Sequence, residues 1–266
     1  MHANEPGLPL PGPAANDPGP ARLVMPGRRV RAGAGVDWVG DGWRLFRRAT
    51  LMWIVLLVVL FLVHLGLGMV PWAGMVLPSL VSPILMGGIA LGCRSLETGG
   101  DLELEHLLAG FRRNTGFLFA IGVIYAVAEA AIIGAFGAIA GPTLTWAAIR
   151  GDEAAILQSL PDDPLRLVLG ALVALALAVP LVAAYWFAPA LAMLHDMPAI
   201  PAMKESFAAC FRNLMPMTVY GLLMLALLMV AVIPLGLGLF AWTPLLMATT
   251  YTSYRSVFTE EDGDAP

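Results

Sequence analysis

The polar side chain that stands out most in this sequence is Glu129, which lies in the middle of the apolar stretch VIYAVAEAAIIG. A carboxylate in hydrocarbon costs about 3 kcal/mol on insertion scales unless it is protonated or paired. Tyr125 precedes it by one helical turn and is a candidate hydrogen-bond partner. Such a carboxyl suits a proton, a cation or a substrate amine. The alternative, which the sequence leaves open, is a protonated glutamic acid that ties two helices together.

Two histidines are further candidates for chemistry. His64 lies in another apolar stretch, where it is either a structural or interfacial residue or faces Glu129 or the outer surface of the membrane. His195 precedes Asp196, but neighbours on a helix point about 100° apart and do not form a dyad by themselves. The sequence contains no Walker A motif, paired zinc-ligand spacing or Gly-x-Ser-x-Gly elbow. We therefore expect no enzymatic activity, no metal and no organic cofactor.

The composition around these residues is that of a membrane protein. Hydrophobic residues make up 59% of the 266 positions and charged residues 13%, whereas soluble domains carry about 25% charged residues. So few charged side chains would cover a water-facing surface thinly. The net charge of -4 gives no reason to expect nucleic-acid binding. We expect the lipid bilayer to be the main solvent and partner of the chain.

Six apolar segments are each near the length of about 20 residues that crosses a bilayer as a helix. We expect transmembrane helices over residues 51–70, 75–93, 117–140, 165–194, 217–233 and 235–254. The predicted class is therefore an all-α integral membrane protein with a membrane domain over 34–257. Residues 1–33, rich in proline and glycine, are expected to form a disordered cytoplasmic tail, and 258–266 a short acidic cytoplasmic tail.

The orientation of the six segments follows from the arginine and lysine residues. Only Arg150 and Arg166, out of fifteen Arg and Lys residues, fall on one side of the expected membrane. The positive-inside rule then places the other side, with both chain termini, in the cytoplasm.

A basic and aromatic phrase recurs before three of the expected spans, as Phe-Arg-Arg at 46–48 and 111–113 and Phe-Arg-Asn at 211–213. Each phrase ends an amphipathic stretch, which predicts three short helices lying on the cytoplasmic leaflet. There the aromatic rings reach headgroup depth and the arginines reach anionic lipid headgroups. The expected interface anchors are Trp43, Arg44, Phe46, Arg47, Arg48, Phe111, Arg112, Arg113, Phe211 and Arg212.

Helix-breaking prolines mark the second span of each expected pair. Pro83, Pro189 and Pro244 begin similar sequences, and Pro180 interrupts the same span as Pro189. Together with the basic phrase, they indicate a three-fold repeat of helical hairpins, each preceded by an amphipathic helix. The alternative is chance similarity between apolar segments. Tyr-Trp at 185–186 is expected either to line a groove at the kink or to pack in the core.

With these repeats the chain resembles an uncharacterised family of six-pass inner-membrane proteins from proteobacteria. The resemblance covers about residues 36–257 and is carried by GWRLFRRATLMW, SPILMGGIALGCRSLETG, LEHLLAGFRRN and TPLLM. It implies a bacterial inner membrane and transfers no functional residues. The chain is more distantly similar to the polytopic membrane domain of some glycerophosphodiester phosphodiesterases. It has no room for a phosphodiesterase domain, so that activity is not implied.

The sequence supports two hypotheses of function. The first is a membrane protein that handles a small or amphipathic solute or a lipid, through Glu129 and the spans that contain proline. The second is a structural or assembly protein whose amphipathic helices and tails dock a partner. A polar cavity that reaches Glu129 favours the first hypothesis, and a closed, fully packed bundle favours the second.

Overall fold

The computed structural model describes residues 22–70 and 73–260, and in this part of the chain the regular structure is helical. The all-α class predicted from the sequence is therefore confirmed. In chain order the helices are α1 (Ala34–Arg48), α2 (Thr50–Gly68), α3 (Leu77–Glu97), α4 (Leu104–Arg112), α5 (Thr115–Ala140), α6 (Pro142–Arg150), α7 (Glu153–Gln158), α8 (Pro164–Trp186), α9 (Ala188–His195), α10 (Ala199–Arg212), α11 (Leu214–Val232) and α12 (Leu239–Phe258).

Five helices within the described residues are long and apolar enough to cross a membrane: α2, α3, α5, the α8–α9 pair (Pro164–His195) and α11. They correspond to the first five predicted spans. The sixth predicted span corresponds to α12, which is not among the five because threonine, serine and tyrosine fill its second half. Its start also differs from the prediction, because Leu235 and Gly236 have positive φ angles of 54° and 80° and form a turn before Leu239.

The four prolines predicted to break helices behave differently from one another. Pro189 lies in the first turn of α9, just after the chain leaves α8. In contrast, Pro83, Pro180 and Pro244 lie inside continuous helices. A membrane helix tolerates an internal proline when its neighbours satisfy the freed backbone group. Pro189 therefore lies at a break between two helices, whereas the other three prolines do not.

Residues 22–33 do not belong to a disordered tail, although their composition predicted one. The backbone N–H of Val24 donates to the carbonyl of Phe258 (2.8 Å), and that of Val30 donates to the Asn213 side chain (2.9 Å). Proline and glycine content predicts local disorder, but it carries no information about hydrogen-bond partners far along the chain. This segment is fixed against the end of α12 and the start of α11.

The boundary of the C-terminal tail also shifts. Phe258 and Thr259 were assigned to the acidic tail, yet both are buried. Phe258 is the last residue of α12 and packs against the segment just described. The remaining tail predictions concern 1–21 and 261–266, which lie outside the described residues.

The three predicted amphipathic helices are present as α1, α4 and α10. Of these three helices, α4 packs on α3, α10 packs on α8 and α9, and α1 packs on α11 and α12. The final residues of α3, α9 and α12 lie at the same end of the bundle as these helices. We call this end, which contains Arg94, His195 and Arg255, the basic end. The other end contains α6 and α7.

The core of the protein lies where α3, α9 and α12 converge. Pro83, Pro189 and Pro244 are all buried, one in each of these helices. α3 is the central helix, because 56% of its spanning stretch is buried inside the protein, against 11% to 22% for the other four spanning helices.

Candidate functional site

An ion-pair network joins three helices at the basic end. The Arg255 guanidinium contacts the carboxylates of Asp41 (2.8 Å) and Glu97. The Tyr251 hydroxyl donates a hydrogen bond of 2.6 Å to Glu97, and the more exposed Arg44 also pairs with Asp41. The side chains of Asp41, Glu97 and Arg255 are 20% to 27% exposed, so water screens them only partly. The network therefore fixes α1, α3 and α12 to one another.

A second set of contacts holds the end of α9. The His195 imidazole is hydrogen-bonded to the Tyr254 hydroxyl of α12, while Asp196 accepts a hydrogen bond of 2.6 Å from Asn114. This bond is the main reason why the pKa of Asp196 lies below its ordinary value, and the charge of Arg113 adds to the effect. As expected from their adjacency on the chain, His195 and Asp196 face different partners.

A small cavity of about 80 Å³ lies next to the ion-pair network, between α3, α8, α9 and α12. Tyr185 and Trp186, for which the sequence left a groove or core packing open, both line this cavity. Two of its lining side chains make hydrogen bonds outside the cavity. Tyr251 donates to Glu97, and the Trp186 indole donates to Ser253 (3.3 Å). The side chains that matter most for its chemistry are Met86, Ala90, Tyr185, Trp186, Met247 and Tyr251.

Glu129 is half-buried and accepts a hydrogen bond of 2.7 Å from the Ser79 hydroxyl of α3. The predicted partner, Tyr125, instead packs its ring against Tyr185, with 5.0 Å between the ring centroids. Helical spacing places Tyr125 and Glu129 on one face but cannot reveal that α3 presents a serine there. Since Tyr185 lines the central cavity, the two tyrosines connect the Glu129 face of α5 with that cavity.

His64 contacts α3 and not Glu129. Its Nδ1 atom lies 2.8 Å from the Leu60 carbonyl oxygen, and its Nε2 atom lies 3.0 Å from the Ser82 hydroxyl. Both ring nitrogens thus have partners, as in a histidine that joins two helices. Glu129 and His64, the two intramembrane candidates, thus both contact α3. Their partners on that helix, Ser79 and Ser82, are three residues apart.

Two of the ten predicted lipid anchors, Phe46 and Arg212, contact the protein itself, and the other eight are exposed. Phe46 is only 5% exposed, because α1 lies on α12 and turns this ring inward, and the half-buried Arg212 donates to the Gly27 carbonyl. Arg48 is exposed but donates to the Leu96 carbonyl (2.9 Å). The contact of the exposed anchors with lipid stays a prediction. The exposed members are Trp43, Arg44, Arg47, Arg48, Phe111, Arg112, Arg113 and Phe211.

The network of Asp41, Glu97 and Arg255 was not predicted from the sequence. In the sequence, Arg255 contributes only to the count of basic residues that sets the orientation of the spans. The available signal was that residues of opposite charge stand at similar expected depths at the ends of different segments. Within the described part of the chain, no group of three His, Cys, Asp or Glu residues is placed to hold a metal ion.

The chain is similar to a protein from Burkholderia thailandensis that is described as a probable inner membrane protein. The two sequences are 31% identical over 261 residues, which covers 89% of this chain and 95% of the relative. No family model matches the chain, and no solved structure matches it.

Proposed function

Because the chain belongs to the same family as the Burkholderia thailandensis protein, it is an inner-membrane protein, and we propose that it binds a small amphipathic solute inside the membrane. The observation that carries this proposal is the central cavity, which lies where three proline-containing helices converge. Ligand sites in helical bundles commonly occupy such positions between helices.

The lining of the cavity favours an amphipathic ligand. Met86 and Met247 are flexible apolar side chains, and Tyr185 and Trp186 add aromatic surface. Tyr251 presents a hydroxyl on the side of the ion-pair network. A cavity of about 80 Å³ holds several water molecules or a short aliphatic group. An apolar portion of the solute would therefore lie against the methionines, and its polar portion would face Tyr251.

We also propose that the basic end faces the cytoplasm, with both termini on that side. The positive-inside rule supports this orientation, since Arg150 and Arg166 are the exceptions among fifteen basic residues. In this arrangement α12 is the sixth span. Its threonine, serine and tyrosine side chains are tolerated because α1 and α11 cover them. The exposed arginines of α1 and α4 then reach anionic lipid headgroups.

A three-fold repeat of hairpins is part of the same proposal. Its support is that α1, α4 and α10 each pack on the pair that precedes them, so that α1 on α11 and α12 closes a ring. The three buried prolines, Pro83, Pro189 and Pro244, stand in corresponding helices. The six-pass architecture belongs to this proposal, and the distant resemblance to the phosphodiesterase-linked domain stays a prediction.

Binding, and not catalysis, is the role we assign to the cavity. The contacts of His195 are with Tyr254, and those of Glu129 are with Ser79, so neither is paired with a nucleophile at the cavity. With the basic end closed by the network, the solute reaches the cavity from the other end, where α8 buries only Gly170.

Native mass spectrometry of the full-length protein, purified from its own membrane, tests the proposal. We expect wild-type protein to retain a small molecule that is released on activation. Ala90→Leu fills the cavity and should abolish the retained species, whereas the volume-conserving control Met86→Leu should keep it. Retention by the folded Ala90→Leu variant contradicts the cavity as the binding site. A folded wild-type protein without any retained species favours the structural role.

A further inference from the structure

Arg94 lies directly beyond the cavity on the same helix face. Met86 and Ala90 of α3 line the cavity, and Arg94 follows Ala90 by four residues. Residues four apart lie above one another on a helix, so the Arg94 side chain continues this face towards the basic end. α12 repeats the arrangement, since Thr250 and Tyr251 line the cavity and Tyr254 follows one turn later.

The Arg94 side chain has no hydrogen bond or ion pair within the described residues, although it is half-buried. Its neighbour on the helix, Glu97, is occupied by Arg255 and Tyr251. A guanidinium that is partly removed from water and lacks a counter-ion is energetically costly. Such a position favours an external anion.

Two carboxylates at this end of the protein, Asp41 and Asp196, are matched by other groups. Asp41 is held by Arg255 and Arg44, and Asp196 is bound by Asn114 and Arg113. The polar side chains of His195 and Tyr254 at this end are hydrogen-bonded to each other. Arg94, at the end of α3, therefore forms an ion pair with neither Asp41 nor Asp196.

We infer that Arg94 binds the oxyanion of the solute, which makes the ligand an amphipathic anion. This inference rests on the proposed function of the cavity. The guanidinium fork would hold a carboxylate or phosphate through two parallel hydrogen bonds, while the apolar part of the ligand lies between Met86 and Met247. A short free acid and an anionic lipid headgroup share this chemistry.

Calorimetric titration of the purified full-length protein tests the inference with three probes of equal chain length: butyrate, butanol and butylamine. Wild-type protein should bind butyrate most tightly. Arg94→Gln should weaken butyrate binding by about tenfold or more, the usual effect of losing a charged hydrogen bond, and leave butanol binding unchanged. Arg94→Lys should retain part of the preference. The matched control Arg47→Gln, which removes an exposed arginine at the same end, should bind butyrate like wild type.

Butyrate binding that is equal in wild type and Arg94→Gln overturns the inference. If Ala90→Leu still blocks butanol in that case, the proposed function stands. Failure of all three probes to bind wild-type protein overturns both proposals. Two further experiments distinguish a free solute from a lipid headgroup as the source of the anion. Competition between butyl phosphate and butyrate in detergent supports a free solute. Loss of butyrate binding in nanodiscs of phosphatidylglycerol, but not of phosphatidylcholine, supports a lipid headgroup.

Discussion

The two helices of one membrane span, α8 and α9, differ strongly in how much of each is buried inside the protein. α8 and α9 follow each other between Pro164 and His195, yet α8 buries only Gly170 while α9 buries seven of its eight residues. The break at Phe187 is where this span leaves the periphery and enters the core. The same change occurs along α3, whose buried residues begin at Pro83.

This difference reflects where apolar surface has to be covered. In a bilayer, lipid chains cover leucine and valine as well as protein does, so the exposed residues of α8 cost little. At the basic end the helices meet through groups that lipid cannot satisfy: Asp41, Glu97, Arg255 and the His195–Tyr254 pair. Polar contacts therefore fix the arrangement at the basic end, next to the cavity, whereas lipid chains cover the exposed part of α8.

The largest expected effect is at the close approach of α3 and α4. A Cβ atom added to Gly88 would lie 2.3 Å from the His106 carbonyl oxygen, whereas nothing lies within 4 Å of one added to Gly66. We expect Gly88→Val to lower the free energy of unfolding by about 3 kcal/mol and Gly66→Val to change it little. Unfolding in mixed micelles measures both. Equal losses of stability would show that Gly88 of α3 is packed no more closely than Gly66 of α2.

Removal of Arg255 should have the next largest effect. Arg255→Met leaves the partly buried Asp41 and Glu97 without their shared cation, and we expect a loss of about 2 kcal/mol in the free energy of unfolding. The control Arg47→Gln should lie within about 0.5 kcal/mol of wild type. A variant as stable as wild type would mean that the network contributes nothing net to the basic end.

At the other polar contact, Glu129→Gln should cost less than about 1 kcal/mol, because the amide oxygen can still accept the hydrogen bond from Ser79. Ser79→Ala removes that bond and should cost about as much as other intramembrane hydrogen bonds, roughly 0.6 kcal/mol. The same micelle unfolding assay compares them. If Glu129→Gln also retains wild-type solute binding, Glu129 acts as a link between helices and not as part of the binding site.

The smallest effect concerns the acid stability conferred by Asp196. The hydrogen bond from Asn114 keeps the pKa of this carboxyl below its ordinary value, so its ionised form stabilises the folded protein at neutral pH. That contribution is lost as the pH falls through the lowered pKa. Asp196→Asn should therefore flatten the pH dependence of stability on the acid side. A curve that is unchanged from wild type would show that the contact is of no consequence in solution.

The sequence predicted the elements that depend on local pattern. Apolar length identified the spans up to α11, and amphipathic spacing identified α1, α4 and α10. The recurring prolines also marked the helices that form the core. These features depend on residues that are close together in the chain, so they can be predicted without knowledge of the tertiary structure.

The contacts of the candidate site depend on residues far apart in the chain and could not be read in this way. The partner of Glu129 is Ser79, 50 positions earlier, and that of Glu97 is Arg255, 158 positions later. Residues 22–33 likewise contact residues far along the chain, among them Asn213 and Phe258. In each case helical geometry gives the face of a residue but not the helix that packs against it.

Cysteine accessibility measured from both sides of the membrane tests the central contrast most directly. In a background without the buried Cys93 and Cys210, single cysteines would replace Met86 in the cavity, Leu191 in the core or Leu175 on the exposed surface of α8. We predict that a membrane-impermeant thiol reagent modifies Met86→Cys from the side opposite the basic end, and modifies neither Leu191→Cys nor the lipid-covered Leu175→Cys. Modification of Met86→Cys mainly from the side of the basic end, or from neither side, would contradict a cavity closed by Asp41, Glu97 and Arg255.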